Sequence, residues 1–419
     1  MHRSHRWRPG QPPPPIRAHS LAKHRLLGGY LRRYVAAYTQ NPRHQRLRLM
    51  VVDGFAGGNI YTDEATGQFV PGSPGIILDT LQQAVAEVTE SRRSPFYFDD
   101  RYVFIEKDRH AFGFLQATLA SSKHAGRLSR EIFPIHGEFS TSLPEIVASL
   151  HSIGGGGRAI FVLDQCGYTD VPCQDISLIL RTFRNAEVIL TFSADSLINY
   201  ISEESNTDRL CAKTKIDAEP LKRLDKSDPR WHVAAQHLLH NDLQEKTGAA
   251  FYTPFFIRSI EANRDIWLIH LSQHVKARDE MGELHWDIQT AAAHYGRAGL
   301  NMLGFDPRKI PLDLEARLPG YRFDELAKAA TLEALVEDLP RRLRETGEAT
   351  SFLELFKSVA NETPATQRIL RESIRSLHQE GLILVRDESG QTSRRSGIQS
   401  PKDVIILPAG RTHFFNFGD

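Results

Sequence analysis

The strand–turn–helix pattern between residues 48 and 75 places the strongest constraint on how this chain can fold. An apolar run of strand type ends at Asp53. Three glycines follow it: Gly54, Gly57 and Gly58. Glycine lets a backbone approach a ligand where a Cβ atom would collide. A buried strand, a glycine-rich turn and a helix therefore predict an α/β sheet with a nucleotide-like ligand at its carboxyl edge, although a plain tight turn gives the same pattern.

From residue 48 onward, segments of strand type alternate with segments of helix type. This alternation predicts a parallel sheet with helices on both faces. Two extended runs, residues 251–260 and 266–272, predict an antiparallel hairpin that closes the sheet, an arrangement typical of methyltransferase folds. The predicted fold class is therefore α/β: a Rossmann-like sheet of the S-adenosylmethionine (SAM) methyltransferase type, followed by an α+β module that resembles a winged helix.

Composition and turn signals divide the chain into four regions. Residues 1–19, rich in Arg, His and Pro, are predicted to be a disordered basic tail. Residues 20–310 form the Rossmann-like domain, within which the polar stretch 203–250 is an insertion or a lid. Residues 311–348 are connecting helices. In residues 349–419 the order helix, helix, strand, Gly/Ser/Arg-containing loop, strand indicates the winged-helix-like module.

Charge is distributed unevenly, although the net charge is only +1. Residues 1–52 contain 11 Lys and Arg and no acidic residue, which leaves 41 basic and 51 acidic residues in the remainder. A cationic arm on an acidic body predicts a polyanionic partner, with nucleic acid the leading candidate; a solubilising tail is the alternative. Three arginines at helical spacing in the C-terminal module are candidates for phosphate contacts, unless that module serves packing or dimerisation: Arg368, Arg371 and Arg375.

Three cysteines, an odd number in a chain of this length, imply a reducing compartment without a disulfide framework. Cys166 and Cys173 have no matching pair of ligands, so no metal site is predicted. No apolar run approaches the ~18–20 residues that a membrane span needs, and the amino terminus lacks the apolar segment of a secretory signal. The predicted location is the cytoplasm, without a membrane partner.

Acidic residues stand at or directly after four successive predicted strands. The carboxyl ends of parallel strands meet at one edge of a sheet, so these side chains are expected to form one site. An acid at the end of the second strand can accept hydrogen bonds from both ribose hydroxyls of an adenosine cofactor, and one after the third strand can meet the adenine amino group. Each acid alone is equally a helix cap. The four are Asp53, Glu106, Glu138 and Asp164.

Five short motifs occur in order and together resemble one family. They are Lys23-His24, Asp53-Gly-Phe-Ala-Gly-Gly with Tyr61, Gly72-Ser-Pro, Phe104-Ile-Glu-Lys-Asp and Leu163-Asp-Gln-Cys-Gly. The set resembles the three-Cys-motif partner protein family (TcmP) and, more distantly, the ribosomal RNA adenine-N6 methyltransferases. The resemblance covers roughly residues 20–300.

The resemblance implies a SAM cofactor and a role for each motif residue. Asp164 would face the methyl acceptor, accept a hydrogen bond from its amine and so position the nitrogen for attack, while Tyr168 would stack on the acceptor. Lys23 and His24 would lie near the methionine end of the cofactor. The remaining cofactor-binding residues would be Asp53, Gly54, Gly57, Glu106 and Glu138.

The chain departs from the adenine enzymes at one motif. Those enzymes have Asp-Pro-Pro-Tyr, whereas this chain has Asp164-Gln-Cys-Gly-Tyr168. Three functions therefore stay open: a TcmP-type SAM methyltransferase acting on nucleic acid, a methyltransferase with a protein or small-molecule acceptor, and a methyltransferase-fold protein that binds nucleic acid or a partner without methyl transfer. The family also implies a three-Cys-motif protein as a possible partner.

Overall fold

A computed structural model describes residues 7–8, 10–152, 158–165, 170–192, 241–259, 264–288, 292–294, 298–300, 321–347, 349–392 and 397–408 of the 419-residue chain. The chain divides into two compact units. The first comprises residues 1–293 with 306–315, and the second comprises 294–305 with 316–419. Within the described ranges, no helix combines the length and the apolar character of a membrane span.

Buried apolar strands form the centre of the first unit. Its parallel strands are, in the order of the chain, β1 (Arg46–Asp53), β4 (Tyr97–Glu106), β5 (Ile132–His136), β6 (Arg158–Leu163) and β7 (Ala186–Phe192). Every residue of β7 is buried, and so are five of the six residues of β6. Such continuous apolar runs are typical of parallel strands that are covered on both faces.

The strand order fixes the fold of this unit. With β8 (Phe251–Ser259), β9 (Arg264–Ser272) and β10 (Ala292–His294), the order in the sheet is β10-β8-β9-β7-β6-β1-β4-β5. The strands from β7 to β5 are parallel, whereas β9 runs antiparallel between β7 and β8. The chain reverses its direction of travel across the sheet at β1, which creates the switch point where α/β sheets bind ligands.

Six helices of the first unit have defined bounds, and they place the loops of the carboxyl edge. Asp108 caps α3 by accepting hydrogen bonds from two backbone N–H groups, and Gly72 precedes the first residue of α2. Arg17, in an extended conformation, precedes α1. The helices are α1 (Ala18–Thr39), α2 (Ser73–Ser91), α3 (Arg109–Ser121), α4 (Phe139–Ser152), α5 (Cys173–Thr182) and α6 (Val275–Ile288).

A small hairpin between the glycine turn and α2 was not predicted. It consists of β2 (Ile60–Thr62) and β3 (Phe69–Pro71). The N-terminal segment pairs with it, since Pro15 and Thr62 form a parallel bridge and the Ile16 N–H donates to the Thr62 carbonyl at 2.9 Å. The expectation of disorder throughout residues 1–19 therefore needs correction. Its proline run lacks donors, but its carbonyls accept hydrogen bonds from Thr62.

The second unit contains the complete sequence of elements of a winged helix: helix, strand, two helices and two strands. The short strand β11 (Tyr321–Arg322) precedes them. They are α7 (Glu325–Thr346), β12 (Thr350–Ser351), α8 (Phe352–Val359), α9 (Gln367–Gln379), β13 (Leu384–Arg386) and β14 (Val404–Ile406). The three strands form an antiparallel sheet in the order β12-β14-β13.

The position of α7 differs from the predicted division of the C-terminal half. Residues 311–348 were expected to be connecting helices, but α7 belongs to the same compact unit as the two helices and the wing. The helix continues through Pro340, which is buried, rather than ending or restarting there. Of the predicted insertion at 203–250, residues 203–240 lie outside the described part of the chain, and residues 241–247 are helical.

Candidate active site

Three carboxylates meet where β1, β4 and β6 end. Asp53 is the last residue of β1, Glu106 is the last of β4, and Asp164 directly follows β6. The register of these parallel strands places Asp53 beside Phe104 on one side and Val162 on the other. Three of the four predicted strand-end acids thus lie at one edge of the sheet.

Glu106 holds the glycine turn. Its Oε2 accepts a hydrogen bond from the Gly57 N–H at 2.9 Å, and its Oε1 accepts one from the Asp108 N–H at 2.7 Å. Burial raises the pKa of Glu106, although these backbone donors oppose the shift. A carboxylate oxygen has two lone-pair sites, so each Glu106 oxygen can still accept a hydroxyl donor.

Asp53 is completely buried at the base of the site. Its Oδ1 accepts a hydrogen bond from the Phe55 N–H at 3.1 Å. Burial raises the pKa of Asp53 to about 7; hydrogen bonds from Ser73 and Phe55 oppose this, and the nearby charges of Asp164 and Glu106 add to it. Asp53 therefore changes its charge near neutral pH, which an exposed aspartate does not do.

Lys23 of α1 reaches the carboxylate of Asp164. The Lys23 Nζ lies 2.6 Å from both carboxylate oxygens, across 141 residues of sequence. Burial acts to raise the pKa of Asp164, but the Lys23 ammonium, a hydrogen bond from Thr191 and the charge of His24 together lower it below its ordinary value. The structure thus places Lys23 on the predicted acceptor-side acid.

The other predicted residues lie at different places. The ring of His24 is 6.1 Å from the ring of Tyr61, centroid to centroid. Glu138 is exposed after β5, and its backbone carbonyl accepts from the N–H and hydroxyl of Ser142 at the start of α4. Tyr168 lies outside the described residues.

Asn59 is a structural member of the site that the sequence analysis missed. Its φ of +68° lies in the left-handed region, which asparagine tolerates better than most residues. Its Oδ1 accepts from the Gly75 N–H at 2.7 Å, its Nδ2 donates to Thr118 Oγ1 at 3.2 Å, and its carbonyl accepts from the Gly72 N–H at 2.6 Å. Asn59 therefore joins the glycine turn to the first turn of α2, and an Asn directly after Gly-Gly was the available signal.

The glycines at this edge permit close packing by protein side chains. A Cβ on Gly54 would lie 2.8 Å from Leu163 and 2.9 Å from Phe139. Gly57 has a φ of +61°, and a Cβ there would lie 2.8 Å from the ring of Trp7. Trp7 is 5% exposed and was also missed, because it stands in a basic, proline-rich segment that has no strand or helix pattern.

The three arginines of α9, in the second unit, differ in their surroundings. The Arg371 guanidinium lies 4.2 Å from the ring centroid of Phe352, and its Nη1 donates to the Ile398 carbonyl at 3.4 Å. Arg371 therefore packs within the module. The prediction that it presents its charge to phosphate groups needs correction for this residue. Arg368 and Arg375 are exposed.

The strand order, the antiparallel strand between β7 and β8, and the acids at the switch point define a Rossmann-like protein of the methyltransferase fold, with a winged-helix unit after it. The predicted fold class is thereby confirmed. Residues 304–390 match the family model of the GMT-like wHTH (winged helix-turn-helix) domain, a range that contains every element from α7 to β13.

Solved structures with a similar fold include protein LPL1258 from Legionella pneumophila, at 11% identity and a TM-score of 0.39, covering 66% of this chain and 94% of that one. The METTL16 MTase domain has 10% identity and a TM-score of 0.26, covering 58% and 66%. The plantazolicin methyltransferase BamL has 6% identity and a TM-score of 0.26, covering 61% and 88%. A comparison with curated proteins gives no significant match.

Proposed function

We propose that this protein is a SAM-dependent methyltransferase of TcmP type that acts on nucleic acid. The observation that carries the proposal is the Lys23–Asp164 pair, which lies at the same sheet edge as Glu106, Asp53 and the glycine turn. A carboxylate for the acceptor and a polar cradle for the cofactor thus occur together at the switch point of a methyltransferase-fold sheet.

The residues at this edge fit SAM. Glu106 retains acceptor sites suited to two ribose hydroxyls, even though both of its oxygens already bind backbone N–H groups. Asp53 offers a buried carboxyl group whose pKa is about 7, so the nearby positive charge of an ammonium group would favour its ionised form. Gly54 and Gly57 keep the turn close to these acids, and Glu138 is an exposed acceptor after the neighbouring strand. When bound, SAM would supply the electrophilic methyl group.

Asp164 is the residue proposed to meet the methyl acceptor. Lys23 favours its ionised form, so the carboxylate is available as a hydrogen-bond acceptor across the neutral pH range. Both oxygens accept from Lys23, and each retains a further lone-pair site. An amine held there would be oriented with its own lone pair directed away from the carboxylate, which is catalysis by positioning. Tyr168 is the residue proposed to stack on the acceptor. His24 is proposed to lie near the methionine end of the cofactor.

Nucleic acid as the acceptor is supported by charge and by the second unit. The first 52 residues contain 11 Lys and Arg and no acid. Within the described part of the chain, five of these cations pair with acids from later in the sequence: Lys23, Arg32, Arg33, Arg46 and Arg48. Arg368 and Arg375 are exposed on α9, the third helix of the winged-helix unit, a position that contacts DNA in many such modules. The TcmP type, a cytoplasmic location and a three-Cys-motif partner rest on the sequence motifs and the cysteine content.

A second candidate is a methyltransferase-fold protein that binds nucleic acid or a partner without methyl transfer. Lys23 gives this candidate limited support, because it occupies one acceptor site on each oxygen of Asp164 and leaves fewer for an acceptor amine. The replacement of Asp-Pro-Pro-Tyr by Asp164-Gln-Cys-Gly-Tyr168 points the same way. A methyltransferase with a protein or small-molecule acceptor would share the cofactor site but not the salt dependence of phosphate contacts.

The first test is calorimetric titration of the full chain with SAM and with S-adenosylhomocysteine (SAH). We expect both to bind, and Glu106→Gln to weaken binding because one of its oxygens becomes a donor. The control is Asp99→Asn, which removes the same charge from the same strand at a half-exposed position. Equal affinity of Glu106→Gln and the wild type would contradict the cofactor assignment.

Methyl transfer is then measured with radiolabelled SAM and total RNA, total DNA or total protein as acceptors. We expect label in a nucleic-acid fraction, lost in Asp164→Asn while SAM affinity is retained. SAM binding without transfer to any fraction would favour the second candidate. Label in protein alone would contradict nucleic acid as the acceptor.

A further inference from the structure

The indole of Trp7 lies directly against the glycine turn of the candidate site. An ideal Cβ placed on Gly58 would be 2.4 Å from both Cδ1 and Nε1 of the indole, and one placed on Gly57 would be 2.8 Å from its Cη2. The Trp7 ring also meets the ring of Tyr61 edge to face, with centroids 5.1 Å apart. Only 5% of Trp7 is exposed, so the indole is almost completely buried.

A short strap holds this indole in place. We define the amino-terminal strap as residues 7–8 and 10–16. The Trp7 Nε1–H donates to the Ile60 carbonyl at 2.9 Å. Further along the strap, Thr62 donates its backbone N–H to Pro14 and its hydroxyl to Pro13, both at 2.9 Å. The strap is thus joined to β2 at both ends, and β2 begins just after the glycine turn.

The indole and Glu106 contact different sides of the same residue. The Gly57 N–H points to Glu106 Oε2, whereas the Cα of Gly57, at a φ of +61°, faces the indole. The indole therefore supports the turn from the side that a Cβ would occupy and leaves the side of the acids to a ligand. Gly57 is thus held at two of its groups, at the N–H by Glu106 and at the Cα by the indole.

We propose that Trp7 is a positioning residue for the cofactor: the amino-terminal strap presses its indole against Gly57 and Gly58 and thereby fixes the turn that, together with neighbouring Glu106, lines the proposed SAM site. This inference rests on the proposed function for the identity of the ligand. The fixing of the turn by the indole is a separate physical claim, and it is measured without any ligand.

The variants are chosen to separate the indole from the charge of the strap. Trp7→Ala removes the ring, and Trp7→Phe keeps an aromatic ring without the donor to Ile60. Arg8→Ala is the matched control, because it removes an exposed charge from the next residue and leaves the indole. Gly58→Ala adds the Cβ that would collide with the indole, at a residue whose φ is outside the left-handed region.

Two quantities are measured on the full chain at a temperature well below unfolding: the Kd for SAH by calorimetry, and amide hydrogen exchange of peptides that cover residues 54–62. We expect Trp7→Ala to weaken SAH binding about tenfold or more and to speed exchange in these peptides, as expected when a binding group loses its support. Trp7→Phe should recover part of both effects, and Arg8→Ala should match the wild type.

The double variant gives the sharpest test. Since the three atoms nearest to the added methyl group all belong to the indole, Gly58→Ala should weaken SAH binding in the wild type but add little to Trp7→Ala, a strongly non-additive cycle. Additive effects would overturn the proposal, and so would unchanged exchange at 54–62 in Trp7→Ala. Tighter SAH binding by Trp7→Ala would also overturn it, because the indole would then be competing with the cofactor. If the wild type binds no SAH, the proposed function fails, and the exchange data alone decide whether the indole fixes the turn.

Discussion

The buried carboxyl group of Asp53 gives a prediction whose size follows from the structure. Burial raises its pKa from the ordinary 3.8 to about 7. Because the folded-state pKa is raised, the stabilising effect of protonation is fully present below pH 3.8 and is lost as the pH rises through about 7. In the unfolded chain Asp53 is ionised over most of this range, so folding must take up a proton.

The magnitude follows from the same two values. Each pKa unit corresponds to about 1.4 kcal/mol, so Asp53 should reduce the free energy of unfolding by about 2–3 kcal/mol between pH 5 and pH 8. Asparagine has nearly the same shape and can still accept from the Phe55 N–H, but it has no proton to take up. The difference in stability between Asp53→Asn and the wild type should therefore grow in favour of the variant as the pH rises.

Urea unfolding followed by tryptophan fluorescence suits this measurement, because Trp7, Trp267 and Trp286 belong to the first unit. Free energies are compared at pH 5, 6, 7 and 8 with a common slope against urea. Asp99→Asn, which removes a half-exposed charge from the same unit, is the control for charge removal. Parallel curves for Asp53→Asn and the wild type would refute the reasoning.

Three further changes probe other contacts. Lys23→Met should destabilise the first unit by about 1–2 kcal/mol at pH 7, since a one-third-exposed Asp164 loses its partner. Because Lys23 holds the pKa of Asp164 below its ordinary 3.8, this stabilisation is lost only as the pH falls below that value, and urea titrations at pH 3 and pH 7 test this. Asn59→Ala loses the bond to Gly75 and strains a left-handed residue, so urea unfolding should show a loss of about 2 kcal/mol, whereas Asn59→Gly should recover much of it. Arg371→Ala should lower the stability of the second unit by about 1 kcal/mol through its lost ring contact, measured by amide exchange, whereas replacing the exposed Arg386 of β13 by Ala should not.

The sequence was sufficient for the sheet because its strands carry a local signal. Each of the strands before Asp53, Glu106 and Asp164 has an apolar run directly ahead of the acid, and the parallel order of the strands brings three acids to one edge of the sheet. The winged helix was likewise visible from helix and turn signals. The start of the second unit could not be predicted, because the sequence pattern of α7 does not indicate which unit the helix packs with.

The contacts that complete the site join residues far apart in the sequence, and no periodic pattern predicts them. Lys23 and Asp164 are 141 residues apart, and nothing in a Lys-His pair on a helix specifies its partner. Trp7 lies in a proline-rich arm whose composition predicts disorder, yet a single indole and four hydrogen bonds join that arm to β2. Local composition was outweighed by a few specific contacts.

The balance of charge at the sheet edge favours a cationic ligand. Glu106 and Asp164 contribute two carboxylates and Lys23 neutralises one of them, so the edge is anionic even when Asp53 is protonated. A cationic ligand would be attracted and would favour ionisation of Asp53, whose pKa is about 7. SAM carries one more positive charge than SAH, at its sulfonium. The ratio of SAM to SAH affinity should therefore increase between pH 6 and pH 8, and Asp53→Asn should remove the increase; a ratio that is constant with pH in the wild type would show that Asp53 does not face the cofactor.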